Sequence, residues 1–473
     1  MNIHPKVKEV ASVFAEAGKQ VFLVGGAVRD LLRGEKSKDW DLATDAKPEE
    51  VIAIFKSLRK TGPGSRFKAG ERCFVVPTGI KHGTVTVHYK GLGMEVTTFR
   101  SESGYSDGRR PDKVEFGVSI EADLSRRDFT MNAAAYKLPN GPLIDPYNGR
   151  DDIKKKLIRS VGKAEERFSE DGLRPVRAMR FTSQLDFKVD EEVLAAIPGA
   201  LSLTSTVAAE RIRDELDKII ATPRPSTALL LMEKTGLLEL LIPELAACRG
   251  VEQDLKANYS YHRMDVLDHS FLACDFAACK EMKSEIRLAA LFHDIGKPLA
   301  LQTCEGGGKT FHQHEKESSA LAKKFFMHFR YPNAVTNNVC HLIEEHMFHY
   351  DENWTDAAVR RFVIRVGEEN LNDLFALRRS DAYASSGREP PLDFLLPFTN
   401  RIEKTLARSR TLSLKDLAIS GTELMASGIS PGKHMGIILK ELLEAVLEDP
   451  TLNSREKLLE IAGNINQRYA KRA

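Results

Sequence analysis

The sequence predicts an α/β head built on a small mixed β-sheet, followed by an all-α body. Three observations point there. Val21 to Val24 is a short apolar run that stops at Gly25-Gly26, and Ala27 to Arg33 then carries helical patterning closed by Gly34. CFVV, GTVTVHY and MEVTTFR, within residues 72–100, alternate with the period of two that marks half-buried strands. From Asp151 the alternation gives way to helical periodicity, which runs to the C-terminus. The chain is thus expected to divide into a head at 1–150, a helical neck at 151–254, a histidine-rich helical domain at 255–388 and a helical tail at 389–473.

Taken in order, residues 5–18 read as an amphipathic helix ending at Gly18. The strand, glycine pair and helix come next. Asp39-Trp40-Asp41-Leu42 then reads as a strand, with two carboxylates on one face and Trp40 and Leu42 on the other. Thr44-Asp45-Ala46-Lys47-Pro48 opens a helix through about Arg59, its proline near the first turn. The segment SESGYSDGRRPDKVEF (101–116) is rich in Ser, Gly, Asp and Arg and reads as a mobile loop. Ile120 to Asp128 leads into FTMNAAAY, read as a helix start, and LIDPYNGRDDI (143–153) closes the head. Ser427 to Gly432 breaks the last helical region.

Composition bounds the rest. A chain of 473 residues has room for several cores, and 42% hydrophobic with 29% charged residues is an ordinary soluble balance. Net charge is +2, from 69 basic and 67 acidic residues, so any basic surface must be local. Residues 150–180 supply one, with ten Lys/Arg against six Asp/Glu. The six cysteines are scattered without a C-x-x-C pair, which suggests neither a disulfide framework nor a zinc ribbon and fits a reducing cytoplasm. MNIHPKVKEV lacks a secretory signal and no run of about 18 apolar residues is present, so no membrane partner is expected.

Four constellations carry chemistry. Asp39 and Asp41, on one face, suit a hard divalent cation such as Mg2+. Gly25-Gly26 before a helix lets backbone N–H groups approach a phosphate, with Arg29 in reach. Together these seat a triphosphate and its metals, and a carboxylate pair of that kind implies nucleotidyl transfer. Glu95 is the positional candidate for a third carboxylate, although an exposed strand glutamate is the plainer reading. Arg126-Arg127 is placed at a helix start, where cations oppose the dipole unless an anion is bound.

Asp171 and Arg174 form the third constellation, with Arg177 and Arg180 continuing a stripe every three residues. A carboxylate only accepts hydrogen bonds and a guanidinium only donates them. Cytosine and adenine both present an amino donor beside a ring-nitrogen acceptor, whereas uracil and guanine present the reverse. An Asp/Arg pair therefore fits C and A and leaves U and G with unpaired polar groups. A solvated basic helix face is the plainer alternative. The fourth constellation is His269, His293-Asp294 and Asp381, which could hold a divalent transition metal that activates water. His312, His314, His341 and His346 are accessory candidates. His341 and His346 are left out of the site because their spacing does not place them together on a helix.

GGAVRD followed by DWDLAT resembles the signature of class II nucleotidyltransferases, the bacterial tRNA CCA-adding enzymes and their poly(A) polymerase relatives. RRDFT-x-N and E-D-x-x-R follow in that family's order, within roughly the first 240 residues. The resemblance implies a nucleotidyltransferase head with Mg2+ on Asp39 and Asp41. Gly26, Arg29, Arg127, Asp171, Arg174, Arg177 and Arg180 would contact the nucleotide, the Asp/Arg pair acting as the template that selects CTP and ATP. The retained loop YSDGRRPDKVEF argues against an enzyme that adds only CC. The tail, DLAISGTELMASGISPGKHMGIILKELL, resembles the region through which such enzymes grip tRNA, with affinity from phosphates and steep salt dependence. His269, His293, Asp294 and Asp381 resemble an HD-domain phosphohydrolase, which implies phosphatase or 2′,3′-cyclic phosphodiesterase activity.

The expectation is therefore addition or repair of the 3′-terminal CCA of tRNA in the cytoplasm. An A-adding enzyme or poly(A) polymerase shares the head motifs. A phosphohydrolase with a non-catalytic head, or a non-catalytic RNA-binding factor, would leave the paired metal carboxylates without a purpose.

Overall fold

Helix α1 (Pro5–Glu16) begins on a proline, whose fixed φ suits a first turn, and buries Val7, Val10, Ala11, Val13 and Phe14. Strand β1 (Val21–Val24) is buried along its whole length. Helix α2 (Gly26–Leu32) leaves it through Gly25, and Gly34 follows with φ +81°. Then come β2 (Asp41–Thr44), α3 (Pro48–Ser57), β3 (Cys73–Gly79), β4 (Thr84–Tyr89), β5 (Leu92–Thr98), β6 (Arg100–Ser103), β7 (Lys113–Phe116), α4 (Ile120–Ser125), β8 (Ala135–Lys137) and β9 (Leu143–Ile144). This computed structural model describes residues 3–37, 39–58, 67, 71–104, 112–253, 264–303, 309–408 and 413–470.

Seven strands form one sheet in the order β3-β4-β5-β2-β1-β8-β9. The β2–β5 pair is parallel and its neighbours are antiparallel, so the sheet is mixed as expected. The parallel register sets Asp41 opposite Glu95. Trp40 and Leu42 pack into a core with Val21, Leu23, Phe14 and Phe55.

Three local expectations are corrected. Strand β2 begins at Asp41, so Asp39 lies in the bend before it, although the inside–outside alternation of Trp40 and Leu42 survives. The segment 101–116 is not a loop at its ends, which pair as the hairpin β6–β7; residues 105–111 lie outside the described residues, as does Arg59 at the expected end of α3. FTMNAAAY does not start a helix. Thr130–Asn132 is one 3-10 turn, and Ala135 to Lys137 pair with β1. Sheet pairing overrides the helix preference of the alanines.

Helices α5 (Gly149–Lys155), α6 (Ala164–Glu170), α7 (Arg174–Leu185), α8 (Glu191–Thr204), α9 (Ala209–Ile220), α10 (Ser226–Lys234), α11 (Leu237–Leu241) and α12 (Pro243–Ala246) follow the sheet. A short parallel pair, β10 (Leu157–Ile158) and β11 (Lys188–Val189), interrupts them. The chain divides into two units, Met1–Ala246 and Ala247–Ala473. The second contains α13 (Val266–Cys279), α14 (Ser284–Phe292), α15 (Lys297–Ala300), the hairpin β12 (Gln302–Thr303) and β13 (Lys309–Thr310), α16 (His314–His328), α17 (Asn333–Glu345), α18 (Asp356–Val366) and α19 (Leu371–Ser386). Helices α20 (Leu396–Arg408), α21 (Gly421–Ala426), α22 (Lys433–Glu448) and α23 (Arg455–Ala470) end it. Leu424, Ile438, Leu442, Leu458 and Ala462 give the tail a core of its own. Among the described residues no helix is long and apolar enough to cross a membrane.

Candidate functional site

A cleft of about 850 Å³ in the first unit is lined by Gly25, Gly26, Arg29, Asp39, Asp41, Glu95, Arg127, Asp171, Arg174, Arg177 and Arg180. Every head and neck residue singled out from the sequence faces one space. The sheet supplies the carboxylates: Asp41 is the first residue of β2 and Glu95 is its register partner on β5. Burial raises the Asp41 carboxyl to about 6, and the charges of Glu95 and Asp39 add to this against Arg127 and Arg29. Carboxylates crowded this way repel one another until a cation joins them, so the residues present fit a divalent ion.

Gly25 turns the chain from β1 into α2 with φ +66°, a backbone that side-chain-bearing residues rarely adopt. A Cβ there would stand 3.1 Å from Arg127 Nη1 and 3.6 Å from Asp41 Oδ2. Arg29 is buried and donates to Asn132 Oδ1 at 2.9 Å and to Asp30 Oδ1. Arg126 and Arg127 follow the end of α4, not a helix start. At a C-terminus the dipole favours them, so the expected electrostatic cost is absent. Buried Asp123 holds both, at 2.8 and 3.1 Å. Arg127 Nε is buried without a hydrogen-bond partner.

The arginines of α7 do not form a solvated stripe. Arg174 is buried and its guanidinium donates to Glu170, to the Arg167 carbonyl and to the Arg126 carbonyl. Arg177 donates twice to Asp128 Oδ2, at 2.9 and 2.7 Å. Burial alone would raise the Asp128 carboxyl, but the Arg177 charge outweighs it and holds the group well below the usual carboxylate range. Arg180 donates to Glu215 and Gln184 and stacks over Phe181, its guanidinium carbon 3.8 Å from the ring centroid. The side chains of Asp171 and Arg174 are not bonded to each other, although the Arg174 N–H donates to the Asp171 carbonyl at 3.0 Å. Asp171 instead accepts from both Nη atoms of Arg211, at 3.1 and 2.8 Å, and from the Leu173 N–H.

Sequence reasoning missed Asp128, Arg211 and Glu215. Arg211 and Glu215 stand four apart in AERIRDEL, beside the apolar stripe Ile212, Leu216 and Ile219, and that spacing was the available signal. Asp128 sits within RRDFT, where only the arginines drew attention.

In the second unit, His269 on α13, His293 and Asp294 just past α14, and Asp381 on α19 converge as expected. His269 Nε2 lies 3.2 Å from His293 Nε2, 3.4 Å from Asp294 Oδ2 and 3.3 Å from Asp381 Oδ1. All four residues are buried. Burial works against charge on His293, but Asp294 and Asp381 outweigh it and hold the imidazole up at about 10. Leaving out His346 is corrected: its Nε2 lies 3.9 Å from Asp294 Oδ1, and His314 Nε2 lies 3.1 Å from the same oxygen. Spacing along one helix was the wrong criterion, because the group is assembled from the ends of α14, α16 and α17. His341 turns away to the Val366 carbonyl and His312 is exposed.

A mixed sheet presenting paired carboxylates to an arginine-walled cleft defines a nucleotidyltransferase head. The family described as the Poly A polymerase head domain matches residues 21–159, and such transferases use a divalent metal. A CCA-adding enzyme of Limosilactobacillus reuteri is 31% identical over 466 residues, covering 96% of this chain and 98% of that one. The chain belongs to the family of bacterial CCA-adding enzymes, tRNA nucleotidyltransferases. A CCA-adding enzyme of Lactobacillus johnsonii is 45% identical over 251 residues, which cover 53% of this chain and 56% of that one. The crystal structure of the Bacillus stearothermophilus CCA-adding enzyme in complex with CTP superimposes with a TM-score of 0.68 at 27% identity, covering 100% of both chains. Residues 186–249 match a probable RNA- and SrmB-binding site of polymerase A, and residues 310–462 match a putative second domain of tRNA nucleotidyltransferases.

Proposed function

We propose that this chain adds or repairs the 3′-terminal CCA of tRNA, with CTP and ATP as donors, in the cytoplasm where tRNA matures. One observation carries the reading: a single cleft holds Asp39 and Asp41 together with Asp171 and Arg174, so one nucleoside triphosphate can touch both sets. Mg2+ bound by Asp39 and Asp41 would activate the attacking 3′-hydroxyl and neutralise the leaving pyrophosphate. Gly26, Arg29 and Arg127 receive the triphosphate. Gly25 keeps the approach open, and the unpartnered Nε of Arg127 is a donor available to an anion.

Base choice falls to Asp171 and Arg174. Three of the five N–H donors of Arg174 are taken by the protein, and Asp171 accepts three hydrogen bonds. Both groups are thereby fixed, with acceptor capacity left on Asp171 Oδ2 and donor capacity left on Arg174. A free acceptor beside a free donor matches the amino and ring-nitrogen edge of cytosine and adenine. Arg177 and Arg180, braced by Asp128 and Glu215, line the same wall and support the base and the RNA end.

The test is extension of tRNAs ending before, within and after CCA, each nucleotide supplied separately and products sized. Sequential incorporation of C, C and A that stops after the terminal A supports the reading; untemplated A runs would shift it to poly(A) synthesis. Asp39→Ala or Asp41→Ala should abolish extension while thermal melting stays cooperative.

A second reading concerns the second unit, where His269, His293, Asp294 and Asp381 supply four buried nitrogen and oxygen donors of the kind that hold a divalent transition metal. Asp381 also borders a cleft of about 650 Å³ with Arg378, Ser385 and Arg388, which suits a phosphate ester. We assign this HD-type centre to metal-dependent phosphoester hydrolysis on nucleotide or RNA ends. Metal analysis of the native chain beside His293→Ala tests it: bound metal lost in the variant supports the centre, and none in the native chain removes it. The four-part division, with the HD domain over 255–388 and an RNA-gripping tail over 389–473, rests on the same reading and on the separate tail core.

A further inference from the structure

The sheet face that carries Asp41 and Glu95 continues beyond the cleft. The period of two sends Leu42, Cys73, Val85, Val87, Met94 and Val96 into the core. The alternate residues, Phe74 on β3, Thr86 and His88 on β4, and Gly93 and Glu95 on β5, therefore share the opposite face with Asp41. Thr86 is the register partner of Glu95, and His88, two residues on, stands opposite both Phe74 and Gly93. The Phe74 and His88 rings stack, with centroids 4.5 Å apart and planes 16° from parallel. At strand spacings of about 4.8 Å, the pair stands on the order of 10 Å across the sheet from the carboxylates of β2.

This ring pair is open to solvent. Phe74 is 38% exposed and His88 is half-buried. Gly93 gives β5 no side chain at that level between the His88 ring and β2, and an added Cβ would stand 3.5 Å from His88 Cε1, in ordinary contact. Arg72, two residues before Phe74, is exposed as well. Exposed rings beside a cation are the parts from which platforms for unpaired nucleic acid are built, since every base offers a π-face to stack and a phosphate to pair. Base pairing hides those faces, so the occupant is a nucleotide outside the duplex.

We propose that Phe74 and His88 stack an unpaired base of the RNA acceptor just upstream of its 3′ end, with Arg72 on the adjoining phosphate. The platform thereby holds the reacting 3′-hydroxyl at Asp39 and Asp41. This inference rests on the reading of the cleft as a transfer site for RNA. Stacking carries no base code, so the platform grips any unpaired end and leaves selection to Asp171 and Arg174.

The test uses the full chain and an RNA hairpin with a short unpaired 3′ overhang, 2-aminopurine replacing the base next to the terminal one, without CTP or ATP. The native chain is expected to quench the fluorophore. Phe74→Ala and His88→Ala should abolish the quenching and weaken binding of this RNA by at least about fivefold, the lower end of what one stacked base contributes. Phe74→Tyr, which keeps the ring, should restore both. A blunt hairpin without the overhang should bind every variant alike, which also reports that the variants fold. Quenching retained in both alanine variants, or an equal loss on the blunt hairpin, would overturn the platform. A change of oligomeric state in those variants would overturn it too, giving the face to a second copy of this chain. Extension of the overhang by the native chain with CTP reports separately on the cleft: extension without quenching removes the platform alone, and no extension removes the reading beneath it.

Discussion

At the scale of single residues, the cleft is built from charges that constrain one another before any substrate arrives. Asp128 is the clearest case, because its carboxylate braces Arg177 while Asn132 and the Phe129 N–H hold its other oxygen. Its folded acidity lies well below the ordinary value of 3.8, so the native state favours the charged form. The stability this gives is complete above about pH 4 to 5 and is lost as pH falls through the folded value. Asp128→Asn should therefore cost about 3 kcal/mol at neutral pH, since it leaves Arg177 without its buried partner. Urea unfolding of both proteins at pH 7 and pH 3 checks this; the gap should narrow at pH 3, and an equal gap at both would contradict it. Arg211 constrains the Asp171 carboxylate in a similar way. Removing its fork from Asp171 gives up two charge-assisted hydrogen bonds, each worth about 1.5 to 3 kcal/mol. Arg211→Ala should let the Asp171 carboxylate rotate and lower the preference for CTP and ATP over UTP and GTP by tenfold or more. Competition assays with all four nucleotides measure it, and unchanged selectivity would place Arg211 outside base choice. Asp39, Asp41, Asp171 and Arg174 were legible in the sequence because motifs carry residue type and spacing. Their bracing partners were not, because Asp128, Arg211 and Glu215 reach the cleft only through helix packing.

Among secondary-structure elements, the turn between β1 and α2 decides whether the head can work. Gly25 combines a left-handed φ with a position 3.1 Å, at the Cβ, from Arg127 Nη1. Alanine there incurs backbone strain of about 1 to 3 kcal/mol and must push Arg127 aside. Gly25→Ala should lower the melting temperature modestly and reduce nucleotide transfer far more than a comparable loss of stability elsewhere in the head would. Melting and extension measured on one preparation separate the two, and proportionate losses would show that the turn matters only for folding. The elements of the head were readable where one face is buried, as in β1, β4 and β5, since alternation or a continuous apolar run then survives in the sequence. Reading failed where tertiary pairing overrode local preference. Ala133 to Tyr136 carry helix-forming residues yet deliver β8 to the sheet, and Arg126-Arg127 close a helix that they were expected to open. The omission of His346 has a related cause: it sits at the end of α17, and no spacing within one helix announces its meeting with Asp294.

Over the whole molecule, the carboxylate-and-arginine cleft belongs to the unit Met1–Ala246 and the buried histidine–aspartate cluster to the unit Ala247–Ala473, each with buried apolar residues of its own. The donor atoms of the two groups differ in kind. Carboxylate oxygens on the head sheet suit Mg2+, whereas the imidazole-rich group in the second unit suits a softer transition metal. A ligand that binds only the folded state stabilises it by RT ln(1 + [L]/Kd), about 2.7 kcal/mol at a hundredfold excess over Kd. The histidine centre ties together α13, α16, α17 and α19, so that stabilisation should be felt across the helices of the second unit. Stripping the chain with a chelator selective for transition metals, in buffer that retains Mg2+, should thus accelerate amide hydrogen exchange in α13, α14, α16, α17 and α19. Exchange in β1, β2, β5 and β8 should stay unchanged, and Mg2+-dependent nucleotide addition should persist, because the carboxylates of the head never relied on the softer ion. Exchange that rises equally in both units would mean that the chelated metal stabilises the head as well. Exchange that rises in neither would mean that the buried histidines and aspartates hold the second unit together without a metal.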